Sequence, residues 1–193
     1  MNIENLTWED ALQRLKSGNQ RFINEKNEHQ NEGAARRGEL TGGQKPYAII
    51  LGCADSRVVP ELVFDTGLGE LFTIRVAGNV ANASTLASIE YAVAHLGTNL
   101  IIVLGHESCG AVQAALAGGD LGYNLNHLLS HLQPAVESCD DSSTNAVVRE
   151  NARLTAEAIV ERSPLIQDEK SRRELKILPA FYHLKSGEVE FLG

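Results

Sequence analysis

The sequence predicts an α/β fold in which helices flank a mostly parallel central sheet. From Pro46 onward, apolar runs of strand length alternate with stretches of helical spacing. The runs Tyr47–Leu51 (YAIIL) and Leu100–Leu104 (LIIVL) are continuously apolar, as strands buried on both faces are. Helices between such strands supply the covering layers. The chain has 193 residues, enough for one domain with its own core.

Thr7, with Asp10 three residues on, reads as a helix N-cap followed by an acidic first turn. Ala11, Leu12, Leu15, Phe22 and Ile23 then recur at helical spacing, so Thr7 to about Lys26 is expected to be an amphipathic helix with Gly18 as its weak point. Residues 27–45 are polar and glycine-bearing, an extended or partly helical continuation. Residues 1–45 are therefore expected to form an N-terminal helical arm, and 46–193 an α/β domain, within a single domain overall. Strands are expected at Tyr47–Leu51, Leu71–Val76, Leu100–Leu104 and Ile177–Leu184, the last turning at Ser186-Gly187 into Val189–Leu192 as a hairpin. Helices are expected at Thr85–His95, Ala111–Ala117, Leu125–Val136 and Ala146–Glu161. There is no internal repeat.

The net charge of -8 argues against a nucleic-acid partner, which would call for a basic face. No apolar run approaches the ~20 residues needed to span a bilayer, so no membrane role is expected. The N-terminus (MNIENLTWED) lacks the layout of a secretory signal, which places the chain in the cytoplasm, with a signal cleaved ahead of Met1 as the alternative. Three cysteines without a signal favour metal ligation over a disulfide framework.

Two motifs carry the chemistry. Gly52-Cys53-Ala54-Asp55-Ser56-Arg57 and Gly105-His106-Glu107-Ser108-Cys109-Gly110 each follow an expected strand directly. Ligands of open parallel sheets bind off the carboxyl ends of the strands. Cys53, His106 and Cys109 there make a Cys2His set suited to Zn(II), with one tetrahedral position left for chemistry. Cys109 also begins a helix, whose N-terminal field favours thiolate. Asp55 has three readings: a fourth zinc ligand closing the site, an acceptor for a zinc-bound water with Arg57 holding it, or a plain loop carboxylate. The nearby guanidinium favours the second. Cys139 reads as a bland thiol, and His29, His127, His131 and His183 have no defensible ligand partners.

These runs resemble the β-class carbonic anhydrases. The resemblance extends through Gln44-Lys45-Pro46, Cys53-Ala54-Asp55-Ser56-Arg57-Val58, Leu71-Phe72, Arg75-Val76-Ala77-Gly78-Asn79, Ser88-Ile89-Glu90-Tyr91-Ala92-Val93, Gly105-His106 with Cys109-Gly110, and Ala180-Phe181-Tyr182, and so covers nearly the whole chain. It implies reversible hydration of CO2 to bicarbonate and a proton by attack of zinc-bound hydroxide. Cys53, His106 and Cys109 would hold the zinc, with Asp55 and Arg57 as the catalytic dyad. Gln44, Phe72, Tyr91 and Gly110 would bind substrate, and His95 sits where some members carry a proposed proton shuttle. The resemblance also implies a homodimer or a tetramer, in which the N-terminal arm packs on the partner and Gln44, Phe72 and Tyr91 come partly from the neighbouring subunit. Some bacterial members have a closed form with the aspartate on zinc and an inhibitory bicarbonate pocket of tryptophan, arginine and tyrosine. Here Ile50 replaces the tryptophan while Arg75 and Tyr182 match, which favours the open type. Relatives on this scaffold that hydrolyse carbonyl sulfide or carbon disulfide form one alternative, and a non-catalytic structural zinc protein another.

Overall fold

The computed structural model describes residues 6–192. The first residues of the arm and Gly193 lie outside them. A five-stranded sheet forms the centre, with spatial order β2-β1-β3-β4-β5. The strands are β1 (Ala48–Gly52), β2 (Leu71–Arg75), β3 (Leu100–His106), β4 (Lys176–Tyr182) and β5 (Val189–Phe191). The first four are parallel, and β5 returns antiparallel beside β4. Every residue of β1 and β3 is buried, which accounts for their unbroken apolar sequence.

Alternation along the strands builds a core on each face. Ile50, Leu100, Ile102, Leu104 and Leu178 point to one side and meet Ala11 and Leu15 of α1 (Trp8–Ile23) together with Phe64. Ile49, Leu51, Ile101 and Val103 point to the other and meet Leu86, Ile89 and Val93 of α4 (Ala83–Leu96) and Ala152 and Ile159 of α8 (Thr144–Glu161). A third cluster, at the carboxyl ends of the strands, gathers Cys53, Cys109, Val112, Leu132, Val147, Val148 and Phe181.

The N-terminal helix starts as expected, with Thr7 Oγ1 accepting from the Asp10 amide at 3.2 Å. Its apolar stripe is spent on this chain's own sheet, so the stripe itself is not a free surface for a second copy. Gly18 is not a weak point. A Cβ there would lie 1.8 Å from the Phe64 carbonyl oxygen, and the absent side chain is what lets α1 approach α3 (Pro60–Val63). Asn19, one residue on, is buried and donates to Val63 O and Gly187 O while accepting from the Val189 amide. It joins α1 to α3 and to the β4–β5 hairpin.

Residues 27–45 are partly helical, as expected, with a helix, α2 (Ala34–Glu39), and a 3-10 turn, Leu40–Gly42. Other departures have local causes. The helix expected over Leu125–Val136 is two, α6 (Tyr123–Ser130) and α7 (Gln133–Ser138), because Pro134 cannot donate back to the preceding turn and instead sits at the start of α7. An unexpected helix, α9 (Pro164–Arg172), is capped by Ser163, whose hydroxyl accepts from the Ile166 amide. The helix α5 (Gly110–Ala117) follows β3 closely, as expected. Strand β4 ends at Tyr182, two residues short of the expected Leu184, where the His183–Glu188 turn begins with Gly187 at φ 77°.

Candidate metal centre

β1 and β3 are neighbours in parallel register, Gly52 opposite Leu104. The residue after β1 is Cys53 and the last residue of β3 is His106, so the register alone brings thiol and imidazole to one edge. The turn after His106 reverses through Ser108 at φ 54° and returns Cys109 as the N-cap of α5. Cys53, His106 and Cys109 are 4%, 0% and 1% exposed, and their ligand atoms all lie within 4.8 Å of one another. Among the described residues this is the one group of three or more such side chains that could hold a metal ion.

The donor set fits a metal on its own chemistry. His106 Nδ1 lies 2.9 Å from the Glu107 carbonyl oxygen, which can only accept, so Nδ1 carries the hydrogen and Nε2 presents its lone pair. That Nε2 is buried and has no hydrogen-bond partner. A buried unsatisfied acceptor costs about 1–3 kcal/mol, and a bound cation removes that cost. The two thiols act on each other in opposite directions. Cys53 is pulled well below an ordinary thiol, chiefly by the hydrogen bond from Cys109, with the Gly78 amide adding a second donor at 3.4 Å. Cys109 is pushed up correspondingly by that bond, by burial and by the charge on Cys53. A bound dication would favour both sulfurs as thiolates.

Asp55 stands beside this group, its Oδ2 3.9 Å from His106 Nε2. Arg57 grips it with a two-pronged guanidinium, Nε to Oδ1 at 2.9 Å and Nη2 to Oδ2 at 2.8 Å, and its backbone amide adds a third bond at 2.9 Å. The bonds from Arg57 hold the Asp55 carboxyl well below the usual range, although burial acts against them. The partner guanidinium is pushed up by the same bond. Arg75 donates to Cys53 O at 2.9 Å and Asp55 O at 2.6 Å, and so ties down the loop that carries both. The sequence reading placed Arg75 only in an inhibitory pocket and missed the Gly78 amide altogether. Both contacts depend on how β2 and its following turn lie against β1, which no local pattern encodes.

Of the remaining predicted residues only Gly110 adjoins this group; Gln44, Phe72, Tyr91 and His95 do not join it within one chain. Phe72 lies opposite Ile49, near the start of β2, about 13 Å along the strand from the end that carries Cys53 at ~3.3 Å per residue. Tyr91 packs on Phe72 with ring centroids 6.3 Å apart, and His95 on Tyr91 at 5.2 Å. Tyr91 is 49% exposed. Gln44 is exposed just ahead of β1, and Gly110 opens α5 next to Cys109. Ile50 and Tyr182, from the inhibitory-pocket comparison, are buried together in the core.

The family model described as "Carbonic anhydrase" matches residues 48–189, a span that contains all three candidate ligands and the Asp55–Arg57 pair. The chain belongs to the carbonic anhydrase family. Carbonic anhydrase 2 of Mycobacterium tuberculosis is 39% identical over 186 residues, covering 93% of this chain and 90% of that protein. Two solved structures extend the likeness to the β-class. The β-carbonic anhydrase CafA of Aspergillus fumigatus superposes with a TM-score of 0.75 at 28% identity, covering 81% of this chain and 79% of that one. One of two tetrameric β-carbonic anhydrases of Sordaria macrospora superposes with a TM-score of 0.76 at 25% identity, covering 92% and 94%. Family membership agrees with the resemblance read from the motifs, and the α/β fold agrees with both.

Proposed function

We propose that this chain is a zinc enzyme that catalyses the reversible hydration of CO2 to bicarbonate and a proton. The observation that carries the reading is the Asp55–Arg57 pair held against a buried Cys53–His106–Cys109 donor set. A structural metal has no use for an ionised carboxylate presented in this way. The Cys2His set favours zinc over harder divalent ions. Bound there, zinc supplies a Lewis acid that acidifies water toward neutral pH.

The chain's own residues account for the rest. Asp55 is too acidic to take a proton at neutral pH, so it serves as a hydrogen-bond acceptor that orients the attacking water. Arg57 keeps it charged and, by gripping both carboxylate oxygens while leaving Oδ2 a free lone pair, would hold it as an acceptor rather than as a metal ligand. Gln44 would donate to the oxygen that gains charge as bicarbonate forms. Phe72 and Tyr91 would line an apolar CO2 pocket beside Gly110, and His95 would pass the released proton to buffer.

Gln44, Phe72, Tyr91 and His95 do not gather at this chain's own metal end, so in this reading a second copy supplies them. That makes a symmetric dimer the minimal working unit and a tetramer an extension of it. In that dimer residues 1–45 form the arm that reaches the partner, and 46–193 the catalytic domain. No helix among the described residues is long and apolar enough to cross a membrane. CO2 and bicarbonate are the proposed small-molecule partners.

Side-by-side assays of the zinc-loaded protein on CO2, carbonyl sulfide and carbon disulfide test the substrate. Turnover of CO2 is expected. Turnover of the sulfur compounds with none of CO2 would replace this reading with the hydrolase.

A further inference from the structure

Three residues of α8, spaced three apart, reach the surroundings of the candidate ligands: the turn between His106 and Cys109, the end of β3, and the turn after β2 whose Gly78 amide donates to Cys53. Asn145 Oδ1 accepts from the Ser108 amide at 3.0 Å, inside the reversed turn between His106 and Cys109. Val148 lies so close to Gly105 that a Cβ on that glycine would sit 2.7 Å from Val148 Cγ1, immediately before His106. Asn151, 2% exposed, donates from Nδ2 to the Gly78 carbonyl oxygen at 2.9 Å. Gly78 is the residue whose amide donates to Cys53 Sγ. It sits at φ 71°, with Leu132 Cδ1 and Cδ2 3.1 Å from where a Cβ would be. Its backbone is therefore packed on one side and hydrogen-bonded on the other.

A buried asparagine in a helix interior is expensive unless its amide is used. A non-glycine residue at positive φ costs of order 1 kcal/mol or more unless its surroundings hold it. Asn151 is an instance of the first, its amide used on Gly78, and Ser108 of the second, held by Asn145 between His106 and Cys109. The spacing 145, 148, 151 places the three side chains along one flank of the helix.

We infer that Asn145 and Asn151 are positioning residues for the metal centre, the inference resting on the metal-site reading above. Asn151 acts through Gly78 to aim an N–H at the Cys53 sulfur. Asn145 acts through Ser108 to set the separation of His106 and Cys109. Docked by Val148 against Gly105, α8 thus holds the His106–Cys109 turn and the Gly78 turn that donates to Cys53 in register, so metal affinity and thiolate donor strength depend on a helix that supplies no ligand.

The test uses the full-length protein loaded with Co(II) or Zn(II). Asn151→Asp keeps the shape but presents only acceptors to the Gly78 carbonyl. Asn145→Ala removes the acceptor, and Asn145→Asp retains it. Ile159→Ala, in the same helix but in the core away from the site, controls for lost stability. Metal affinity by competition with a chromophoric chelator is expected to fall about 10–100-fold in Asn151→Asp and Asn145→Ala. The thiolate-to-cobalt charge-transfer absorption is expected to shift in Asn151→Asp. Asn145→Asp should recover most of the affinity, and Ile159→Ala should lower Tm without moving either readout. Affinity and spectrum within about twofold of the parent in both amide variants, or equal changes in Ile159→Ala, would overturn the inference alone. Failure of the parent chain to take up cobalt or zinc would overturn the metal-site reading with it.

Discussion

Asp55 accepts three hydrogen bonds from a single residue, and its proposed role as an acceptor for the attacking water rests on them. A carboxylate whose pKa is depressed by its partner contributes fully above the ordinary carboxylate range and is lost only as pH falls through the depressed value. Asp55 is therefore expected to stay ionised from neutral to mildly acidic pH, and the rate should show no inflection from it there. Arg57→Ala lets the pKa rise toward the usual value near 4, so a further loss of rate should enter the acid limb of the pH–rate profile near that value, below the fall set by the acidified water. An unmoved limb would remove Asp55 from the profile. Asp55→Ala is expected to keep its metal and lose about 10²–10⁴ in turnover, read by metal analysis beside stopped-flow kinetics. Cys109→Ser is expected to lose metal and turnover together. Retention of both would remove Cys109 from the ligand set. At this scale the motif was legible because its residues sit at fixed offsets from the ends of two strands. The Gly78 amide and the Arg75 clamp were not, since each reaches Cys53 from more than twenty residues away along the chain.

Elements were legible where one physical signal dominated. The continuous apolar runs of β1 and β3 could only be strands buried on both faces, and the Asn82 cap and Gly97 at φ 74° bound α4 close to where the periodicity placed it. α9 escaped notice because only Leu165 and Ile166 are apolar in a polar stretch, although Ser163-Pro164 was a start signal. α6 and α7 were merged because apolar spacing continues across Pro134 while the backbone does not. Gly18 shows how propensity misleads. It reads as a helix defect and is a packing requirement. Gly18→Ala is expected to lower stability by about 1–3 kcal/mol, seen as a drop in Tm, since the Phe64 carbonyl must move to admit a methyl group. A neutral or stabilising effect would mean that α1 is not seated on α3 as described. Asn19→Ala, which strands two carbonyls and an amide, should cost at least as much.

The whole molecule poses the question that one chain leaves open, where the CO2 pocket comes from. The ligands and Asp55 lie at one end of the sheet, and the Phe72–Tyr91–His95 row starts near the other. If a dimer brings them together, Asp55→Ala and Tyr91→Ala damage different contributions to each site. Each variant alone is expected to be impaired. Refolded or co-expressed as a mixture, they should recover about one quarter of parental activity, because half the dimers are mixed and each mixed dimer has one intact site. No recovery would place Tyr91 in its own chain's site or outside any. The claim on which all of this rests is that metal in the Cys53–His106–Cys109 group drives CO2 hydration, and a zinc titration of the metal-free protein followed by stopped-flow CO2 hydration tests it most directly. Activity is expected to rise in proportion to bound zinc and to level off near about one zinc per chain. Full zinc occupancy with no hydration at any pH between about 6.5 and 9, where acidified water is available, would contradict it.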